Sequence, residues 1–345
     1  MSTLGPAVAI AVVGAGYWGP NLIRNIHALS GASLEIVCDH GTRRLDLISR
    51  MYPEAAVTTD YEEVLSLPSI EAVVIATQVG THAELAAAAL EAGKHVLVEK
   101  PMATSVAQAE SLIELAERSG LVLMPGHTFM YSPPVNAVRD LICSGALGEI
   151  HFISSSRVNL GLHQPDVSVV WDLGPHDFSI LRHWLGESPG RVMAASRTCV
   201  VPGISDVAFI SLDFPSGILA HIELAWLAPT KLRRTVVVGS EKMVVYDDTS
   251  DEPVRIFDSG VVLDDPASDG FRPTYRTGGV TAPQVDSTEP LFLEVEDFCR
   301  AIRTGEPPVS SAQVGLDIVR TLEAVDSALA DGIVVEVARV SGSSR

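Results

Sequence analysis

The chain has 345 residues, 47% of them hydrophobic, and a formal net charge of −19 at pH 7. This length accommodates two domains with cores of their own. The acidic balance argues against nucleic-acid binding, because the phosphates would be repelled. The sequence contains no run of about twenty uncharged apolar residues, so it predicts no membrane helix.

The cysteine spacing and the N-terminal residues indicate in which cellular compartment the protein lies. Cys38, Cys143, Cys199 and Cys299 are widely spaced and contain no Cys-x-x-Cys pair, which is typical of a reducing compartment. The residues before position 7 lack the basic segment of a signal peptide. We therefore expect a cytoplasmic protein.

The first predicted element is a strand over residues 7–13, which runs directly into Gly14-Ala15-Gly16-Tyr17-Trp18-Gly19 and a helical segment. A strand, glycine turn and helix start in this order cradle the pyrophosphate of a dinucleotide. Gly14 permits the tight turn, Gly16 lets the backbone approach the phosphates, and Gly19 allows close packing of helix on strand. The alternative is a purely structural turn.

The next strand-like run, residues 33–38, ends at Asp39, about twenty residues past the last glycine. A carboxylate there accepts hydrogen bonds from the adenosine ribose hydroxyls and would repel a 2′-phosphate, so the sequence favours NAD. Arg43 and Arg44 follow immediately and could instead clamp such a phosphate. NADP therefore remains the alternative cofactor.

Strands and helices alternate as far as residue 125, which predicts a parallel, doubly wound sheet. Beyond residue 127, β-branched runs joined by turn residues predict a mostly antiparallel sheet. The strand-like runs after the first are 33–38, 72–76, 95–98, 121–124, 150–158, 191–200, 207–213, 218–227, 234–239 and 242–246. The helical patterns beyond residue 127 are 134–143, 175–185, 291–304 and 312–330. Residues 247–288, rich in Asp, Ser, Pro, Gly and Thr, predict an irregular, exposed segment.

These elements predict an α/β protein of two domains. Residues 1–126 form the dinucleotide-binding domain, and residues 127–345 form an α+β domain with a large open, mostly antiparallel sheet. Within the second domain, residues 217–227 are apolar at too many consecutive positions for a solvated face. We therefore expect a homodimer or homotetramer that assembles through this sheet.

One candidate site lies where the predicted strand 95–98 ends in Glu99-Lys100-Pro101. Ligands of open parallel sheets bind beyond the carboxyl ends of the strands. Lys100 would lie beside the nicotinamide and stabilise a developing alkoxide, with Glu99 and Thr77 along the same edge near the cofactor. His82, which opens the next helix, is assigned to the cofactor as well, and the alternative is a residue of the helix start that binds no ligand. A surface ion pair at Glu99 and Lys100 is the alternative.

A second candidate site is Trp171-Asp172-Leu173-Gly174-Pro175-His176-Asp177. The Gly-Pro pair predicts a turn that starts a helix, with Asp172 and His176 facing one site from either side of it. Histidine suits proton exchange with an alcohol, and a carboxylate could orient the imidazole. The alternatives are a structural histidine and a metal site with His183. The seven-residue spacing of the histidines disfavours the second, so no metal is expected.

A third cluster is polar and basic. Arg157 and Asn159 alternate on a predicted strand, so they would share a face and could grip a polar substrate. Lys231, with Arg233 and Arg234, could bind an anion in the same way. An exposed, solvated face is the alternative for both groups.

Together these motifs resemble the Gfo/Idh/MocA oxidoreductases, and the resemblance covers nearly the whole chain. It is carried by the glycine motif, Glu99-Lys100-Pro101, Gly126-His127-Thr128-Phe129-Met130-Tyr131, Asp172-Leu173-Gly174-Pro175-His176, Trp226 with Lys231-Leu232-Arg233-Arg234, and Glu289-Pro290-Leu291. The resemblance implies a Rossmann first domain and a cis peptide before Pro101. It also implies sugar or cyclitol substrates, and Tyr131 is assigned to the substrate.

Three segments resemble a narrower branch, which acts on nucleotide-linked sugars at C3. They are Tyr17-Trp18, assigned to the cofactor, Arg157-x-Asn159-Leu160-Gly161, and the Trp171–Asp177 segment. This branch includes UDP-N-acetylglucosamine-type 3-dehydrogenases and dTDP-3-keto-sugar reductases. Gln78 departs from the family pattern, which often has Pro there, and affects only the local loop shape.

The resemblance implies hydride transfer between nicotinamide and a secondary alcohol or ketone of a sugar. His176 would take the hydroxyl proton, Asp172 would assist it, and Lys100 would hydrogen-bond the same oxygen. An inositol or free-sugar dehydrogenase is the alternative within the family. A non-catalytic NAD-binding sensor is the alternative from another class.

Overall fold

A computed structural model describes residues 6–161, 163, 167–263 and 273–338. By packing, the chain divides into two compact units, Met1–Tyr131 with Thr288–Val319, and Ser132–Ser287 with Arg320–Arg345. Residues 288–319 thus pack with the first unit, whereas the sequence placed them in the second domain. The domain boundary at residue 126 stays a prediction.

The first unit is built on a six-stranded parallel sheet with the order β3-β2-β1-β4-β5-β6. The strands are β1 (Val8–Val13), β2 (Ala32–Cys38), β3 (Ala56–Thr58), β4 (Ala72–Ile75), β5 (His95–Glu99) and β6 (Leu123–Gly126). The helices between them are α1 (Gly19–Ala28), α2 (Thr42–Met51), α3 (Tyr61–Ser66), α4 (His82–Glu91) and α5 (Val106–Ser119). This confirms the predicted doubly wound parallel sheet. The three-residue edge strand β3 was not predicted.

The core of this unit follows from its apolar runs. Strands β1 and β4 are almost wholly buried, as expected for parallel strands covered on both faces. Helix α1 buries Leu22, Ile23 and Ile26 against the sheet. These spacings form one apolar stripe of an amphipathic helix.

The second unit is built on a nine-stranded sheet with the order β14-β13-β12-β11-β7-β10-β9-β8-β15. Its strands are β7 (Ile150–Val158), β8 (Arg191–Arg197), β9 (Val207–Asp213), β10 (Leu219–Ala225), β11 (Leu232–Gly239), β12 (Met243–Asp247), β13 (Val254–Leu263), β14 (Pro273–Thr281) and β15 (Val335–Glu336). Strands β7 and β10 pair parallel, and the other described pairs are antiparallel. The predicted large, mostly antiparallel sheet is confirmed.

Helices α6 (Pro133–Cys143) and α7 (Val169–Leu185) pack against this sheet, α7 on β9 and β10, and α6 on β12 and β13. Near the C-terminus, α8 (Pro290–Thr304) packs with the first unit, and α9 (Ala312–Asp331) begins in the first unit and ends in the second. None of the helices in the described ranges is both long and apolar enough to cross a membrane.

Two expectations for the second unit are corrected. Residues 247–288 contain β13 and β14 rather than irregular chain. Strand β14 lies at the sheet edge with mostly exposed side chains, and such a strand can form without an apolar pattern. Strand β10 alternates, because Ala220 and Ile222 are buried while Leu219 and His221 are exposed. Its segment is therefore not apolar on both faces.

Candidate functional site

The glycine turn after β1 has the backbone that a dinucleotide site requires. Gly14 has φ +100°, and a Cβ there would lie 2.6 Å from the carbonyl oxygen of Ala76. A Cβ at Gly19 would collide with the carbonyl oxygen of Gly14, so helix α1 packs against the turn only because residue 19 is glycine. At Gly16 a Cβ would meet nothing within 4 Å. This position borders open space, where a phosphate could approach the backbone.

The amino end of α1 suits an anion for a second reason. Its N-cap residue Trp18 makes no side-chain capping hydrogen bond, and the first turn holds no acidic side chain. No carboxylate of the helix's own first turn therefore offsets the helix dipole and the N–H groups at this end. Tyr17, which precedes Trp18, is 88% exposed. The residues of the turn fit the pyrophosphate of NAD.

Asp39, just past β2, ties the turn to the second strand. Its Oδ2 accepts the N–H of Ala15 at 2.7 Å, and its Oδ1 accepts the N–H of Gly41 at 2.6 Å. Arg44 lies 3.4 Å from Oδ1. A carboxylate has about four acceptor positions, so the predicted contact with ribose hydroxyls is compatible with these bonds. It stays a prediction.

His82 is a buried link between two strand ends. Its Nδ1 lies 2.9 Å from the carbonyl oxygen of Pro101, and its Nε2 lies 3.1 Å from the carbonyl oxygen of Thr77. The Thr77 hydroxyl is 2.8 Å from that of Thr81. Both ring nitrogens of His82 thus contact backbone, an arrangement that the sequence did not indicate. Its predicted cofactor contact stays a prediction.

Lys100 follows the last residue of β5, at the carboxyl edge of the parallel sheet. The Lys100–Pro101 peptide is cis, as the family resemblance implies. Glu99 is buried, and its Oε2 accepts the N–H of Lys100 at 3.2 Å. Burial raises the pKa of Glu99 to about 7, although Lys100 and a hydrogen bond from Trp18 favour its anion. Glu99 is therefore not a simple surface ion-pair partner.

In the second unit, Asp172 and His176 lie on one continuous helix. Ser168 caps the amino end of α7, and Pro175 lies inside the helix. The predicted turn at Gly174-Pro175 is therefore wrong. The four-residue spacing instead places Asp172 and His176 on the same helix face, one turn apart. Oδ2 of Asp172 accepts the indole N–H of Trp226 at 3.1 Å.

Arg157 and Asp177 form a buried ion pair. Nε of Arg157 donates to Oδ2 of Asp177 at 2.5 Å, with 5% and 2% of the two side chains exposed. Oδ1 of Asp177 accepts the hydroxyl of Ser155, which also contacts the hydroxyl of Thr235. These bonds join α7 to strands β7 and β11. Arg157 is therefore an internal anchor, and its predicted substrate contact stays a prediction.

Asn159 lies just beyond the end of β7, near Trp226. A Cβ added at Gly161 would lie 2.9 Å from both Oδ1 of Asn159 and Cδ1 of Trp226, so glycine permits the close approach. His163 packs on the Trp226 ring with centroids 5.3 Å apart and contacts Asp206 at 3.1 Å. The structure thus groups Asn159 and Asp172 around Trp226, and it adds His163, which the sequence had not marked.

Tyr131 and Lys231 are the two other predicted substrate contacts. Tyr131 is a core residue, whose hydroxyl donates to Asp297 and accepts the N–H of Ser310. Its predicted substrate contact stays a prediction. Lys231 is exposed just before β11, where an anion could reach it. The neighbouring Arg233 pairs with Asp248 at 3.3 Å.

The residues weighed as a metal site serve other purposes. Asp177 is paired with Arg157, and Nε2 of His183 lies 2.8 Å from Oδ1 of Asn136. Across the described ranges, no group of three or more His, Cys, Asp or Glu side chains is arranged to hold a metal ion.

Sequence reasoning missed two buried groups near Lys100. Glu294 is fully buried in α8, and His127, just past β6, is 1% exposed. Glu294 could have been found, because it occupies the apolar stripe formed by Leu291, Val295 and Phe298. A glutamate in such a stripe is rare unless it has a partner.

Comparison with known families supplies the identification. Residues 8–127 match the model of the oxidoreductase family with an NAD-binding Rossmann fold, and residues 135–245 match the Gfo/Idh/MocA C-terminal domain. The chain belongs to the Gfo/Idh/MocA oxidoreductase family. It is therefore an NAD-binding oxidoreductase, and its family includes dehydrogenases and reductases of sugars and cyclitols.

Relatives in the Gfo/Idh/MocA family differ widely in substrate. The chain is 32% identical to 4-carboxy-2-hydroxymuconate-6-semialdehyde dehydrogenase of Sphingobium, over 91% of this chain and 96% of that one. It is 24% identical to myo-inositol 2-dehydrogenase of Thermotoga maritima, over 89% and 91%. It is 29% identical to dTDP-3,4-didehydro-2,6-dideoxy-alpha-D-glucose 3-reductase of Saccharopolyspora spinosa, over 73% and 84%.

Among solved structures of similar fold is GenD2 from gentamicin A biosynthesis, in complex with NAD. It shares 26% identity with the chain, covers 98% of both chains and has a TM-score of 0.83. The similarity to this NAD-bound structure thus extends over both matched family domains.

Proposed function

We propose that this oxidoreductase transfers a hydride between nicotinamide and a secondary alcohol or ketone of a sugar, at C3 of a nucleotide-linked sugar. The observation that carries the proposal is that Asp172 and His176 share one face of α7. Bound NAD accepts or donates the hydride at the nicotinamide C4. The relative that reduces a dTDP-linked 3-keto sugar supports the choice of C3.

In the oxidation direction, His176 accepts the hydroxyl proton while the carbon loses its hydride. Asp172, one helical turn before it, favours the charged imidazole that results. The Lys100 ammonium hydrogen-bonds the substrate oxygen and stabilises its developing negative charge. In reduction the same groups act in reverse, and His176 returns the proton.

The test is turnover by Lys100→Met and His176→Ala, with nucleotide sugars and inositols as substrates. Each change should lower kcat by roughly two or more orders of magnitude, while NAD affinity stays nearly intact. Lys242→Met and His151→Ala are matched controls, because His151 is exposed and neither residue has a role in the proposal. Unchanged turnover in both test variants would overturn the assignment. Turnover by the native enzyme also discriminates against a non-catalytic NAD-binding sensor.

A cyclitol or free-sugar substrate is the second candidate, and the buried Arg157 favours it. Because Arg157 is paired with Asp177, one of the two cations expected to meet a diphosphate is already engaged. Lys231→Glu separates the candidates, with Lys242→Glu as its control. Affinity for a nucleotide sugar should fall steeply, whereas affinity for inositol should change little. Arg157 is unsuitable for this test, since its loss would leave a buried carboxylate unpaired.

We further propose that the protein forms a homo-oligomer and lies in the cytoplasm. The face of the nine-stranded sheet that carries Phe152, Met193, Phe209 and Leu219 exposes 45–49% of each of these side chains. An exposed apolar patch of this kind favours a homodimer or homotetramer. All four cysteines are free, which supports a cytoplasmic location.

A further inference from the structure

Two buried carboxyl groups, those of Glu99 and Glu294, approach each other in the first unit. Glu99 ends β5 and Glu294 lies in α8, with exposed fractions of 8% and 0%. Gly126 is the residue of β6 opposite Glu99. A Cβ at Gly126 would lie 3.2 Å from Oε1 of Glu294 and 3.3 Å from Oε1 of Glu99. Both oxygens therefore approach one point, and their separation cannot exceed the sum of these distances.

The neighbours of the two groups differ in charge. Glu99 has the N–H and the positive charge of Lys100, together with a hydrogen bond from Trp18. Both carboxyl oxygens of Glu294 are buried without a hydrogen-bond partner among the described residues, and the negative charges of Glu99 and Asp297 lie nearby. Its own helix surrounds it with apolar side chains. A negative charge is therefore better placed on Glu99, and a proton on Glu294.

The other titratable groups around the pair do not reverse this order. Burial, and then the charge of Lys100, lower the pKa of His127 to about 3, so its imidazole is neutral. Burial also raises the pKa of Tyr131 above its usual value, and its hydroxyl donates to Asp297. Burial raises the pKa of Glu294 well above the usual range, and the charge of Glu99 adds to this effect. Two close buried carboxyl groups do not ionise together at neutral pH.

We propose that on the alkaline side of neutral pH Glu99 and Glu294 share one proton, held on Glu294, which donates a hydrogen bond that keeps Glu99 ionised beside Lys100. Glu294 is thus a positioning residue that acts on Lys100 through Glu99. The effect of Glu294 on turnover rests on the proposed function of Lys100. The shared proton of the carboxyl pair does not depend on that function.

The shared proton is tested by infrared difference spectra of the whole protein without substrate. At pH 8 the native protein should retain the C=O stretch of a protonated carboxyl, and Glu294→Gln should lose it. Glu296→Gln is the matched control, because Glu296 lies two residues away on α8 and is exposed. Absence of the band in the native protein, or its survival in Glu294→Gln, would overturn the shared proton.

The hydrogen bond to Glu99 is tested through Trp18, whose emission should follow the charge of its hydrogen-bond acceptor. Trp18→Phe provides the background to subtract. The midpoint of the pH titration should lie near pH 7 in the native protein and in Glu294→Gln, because the amide can still donate. It should move to higher pH in Glu294→Leu, which cannot donate. A midpoint in Glu294→Gln well below that of the native protein would mean two carboxylates and overturn the proposal, as would an unchanged midpoint in Glu294→Leu.

Kinetics then tests the action on Lys100. For oxidation at pH 7, kcat/KM should fall roughly tenfold in Glu294→Leu and stay near the native value in Glu294→Gln. Gly126→Ala, whose methyl group would crowd both carboxyl oxygens, should resemble Glu294→Leu. Equal activity of all these variants would overturn the positioning role. A native protein that oxidises no sugar would instead refute the proposed function, while the spectroscopic results on the pair would still stand.

Discussion

At the scale of single residues, polar side chains near the glycine turn that are predicted to contact the cofactor also bind backbone groups of the protein. Asp39 accepts the N–H groups of Ala15 and Gly41, so the residue expected to meet the ribose also fixes the glycine turn. His82 similarly joins the ends of β4 and β5 through the carbonyl groups of Thr77 and Pro101. The sequence motif indicates the ligand contact, but it does not indicate these structural bonds.

Asp39→Asn should weaken the preference for NAD over NADP. Removing the charge removes the repulsion of a 2′-phosphate, an interaction of a few kcal/mol at contact distance, and it leaves Arg44 without its carboxylate partner. The ratio of the two dissociation constants should change roughly tenfold or more toward NADP, measured by fluorescence titration of each reduced cofactor. The ratio is informative even if lost hydrogen bonds weaken both cofactors. Asp46→Asn, on the exposed side of α2, should leave it unchanged, and an unchanged ratio in Asp39→Asn would argue against a ribose contact.

At the scale of elements, α7 shows where a sequence motif is informative and where it is ambiguous. Proline is common in the first turn of a helix, so Gly174-Pro175 suggested a start, yet the helix begins at Val169, six residues before Pro175. The role of Asp172 and His176 in the candidate site stays a prediction, and their placement on one helix face depended on packing against β9 and β10. Likewise β14 formed at a sheet edge, where pairing with β13 decides the structure and apolar alternation is not required.

The anchor of α7 predicts a large loss of stability when it is broken. Arg157→Leu leaves the buried carboxylate of Asp177 without its partner, which should cost about 3–5 kcal/mol of unfolding free energy. The double variant Arg157→Leu/Asp177→Leu should recover much of this loss, because no unpaired charge remains. Arg191→Leu is the control, since its pair with Asp213 is solvent-exposed and worth at most about 1 kcal/mol. Denaturant unfolding measures all four proteins, and equal losses at Arg157 and Arg191 would contradict the anchor.

At the scale of the whole molecule, the sequence predicted both sheets and the family, because β-branched runs and glycine motifs are local. It did not predict that residues 288–319 pack with the first unit, since no local pattern states which core an amphipathic helix joins. The buried pair of Glu99 and Glu294 forms because residues 288–319 pack with the first unit. Their positions lie about two hundred residues apart, and only the packing of α8 in the first unit brings them together.

The exposed face of the nine-stranded sheet gives the last prediction, which concerns assembly. Phe209 and Leu219 lie on neighbouring antiparallel strands, and Phe209 stacks with His221 at 6.3 Å between ring centroids. If this face pairs with a second copy, Phe209→Glu and Leu219→Glu place unpaired charges in an apolar contact and should convert the oligomer to monomers. Light scattering coupled to size exclusion measures the mass.

Leu47→Glu, at a somewhat more exposed position of α2 in the first unit, should leave the oligomer intact. A native protein that is monomeric at micromolar concentration would rule the contact out. Loss of assembly in Leu47→Glu alone would place the interface on the first unit.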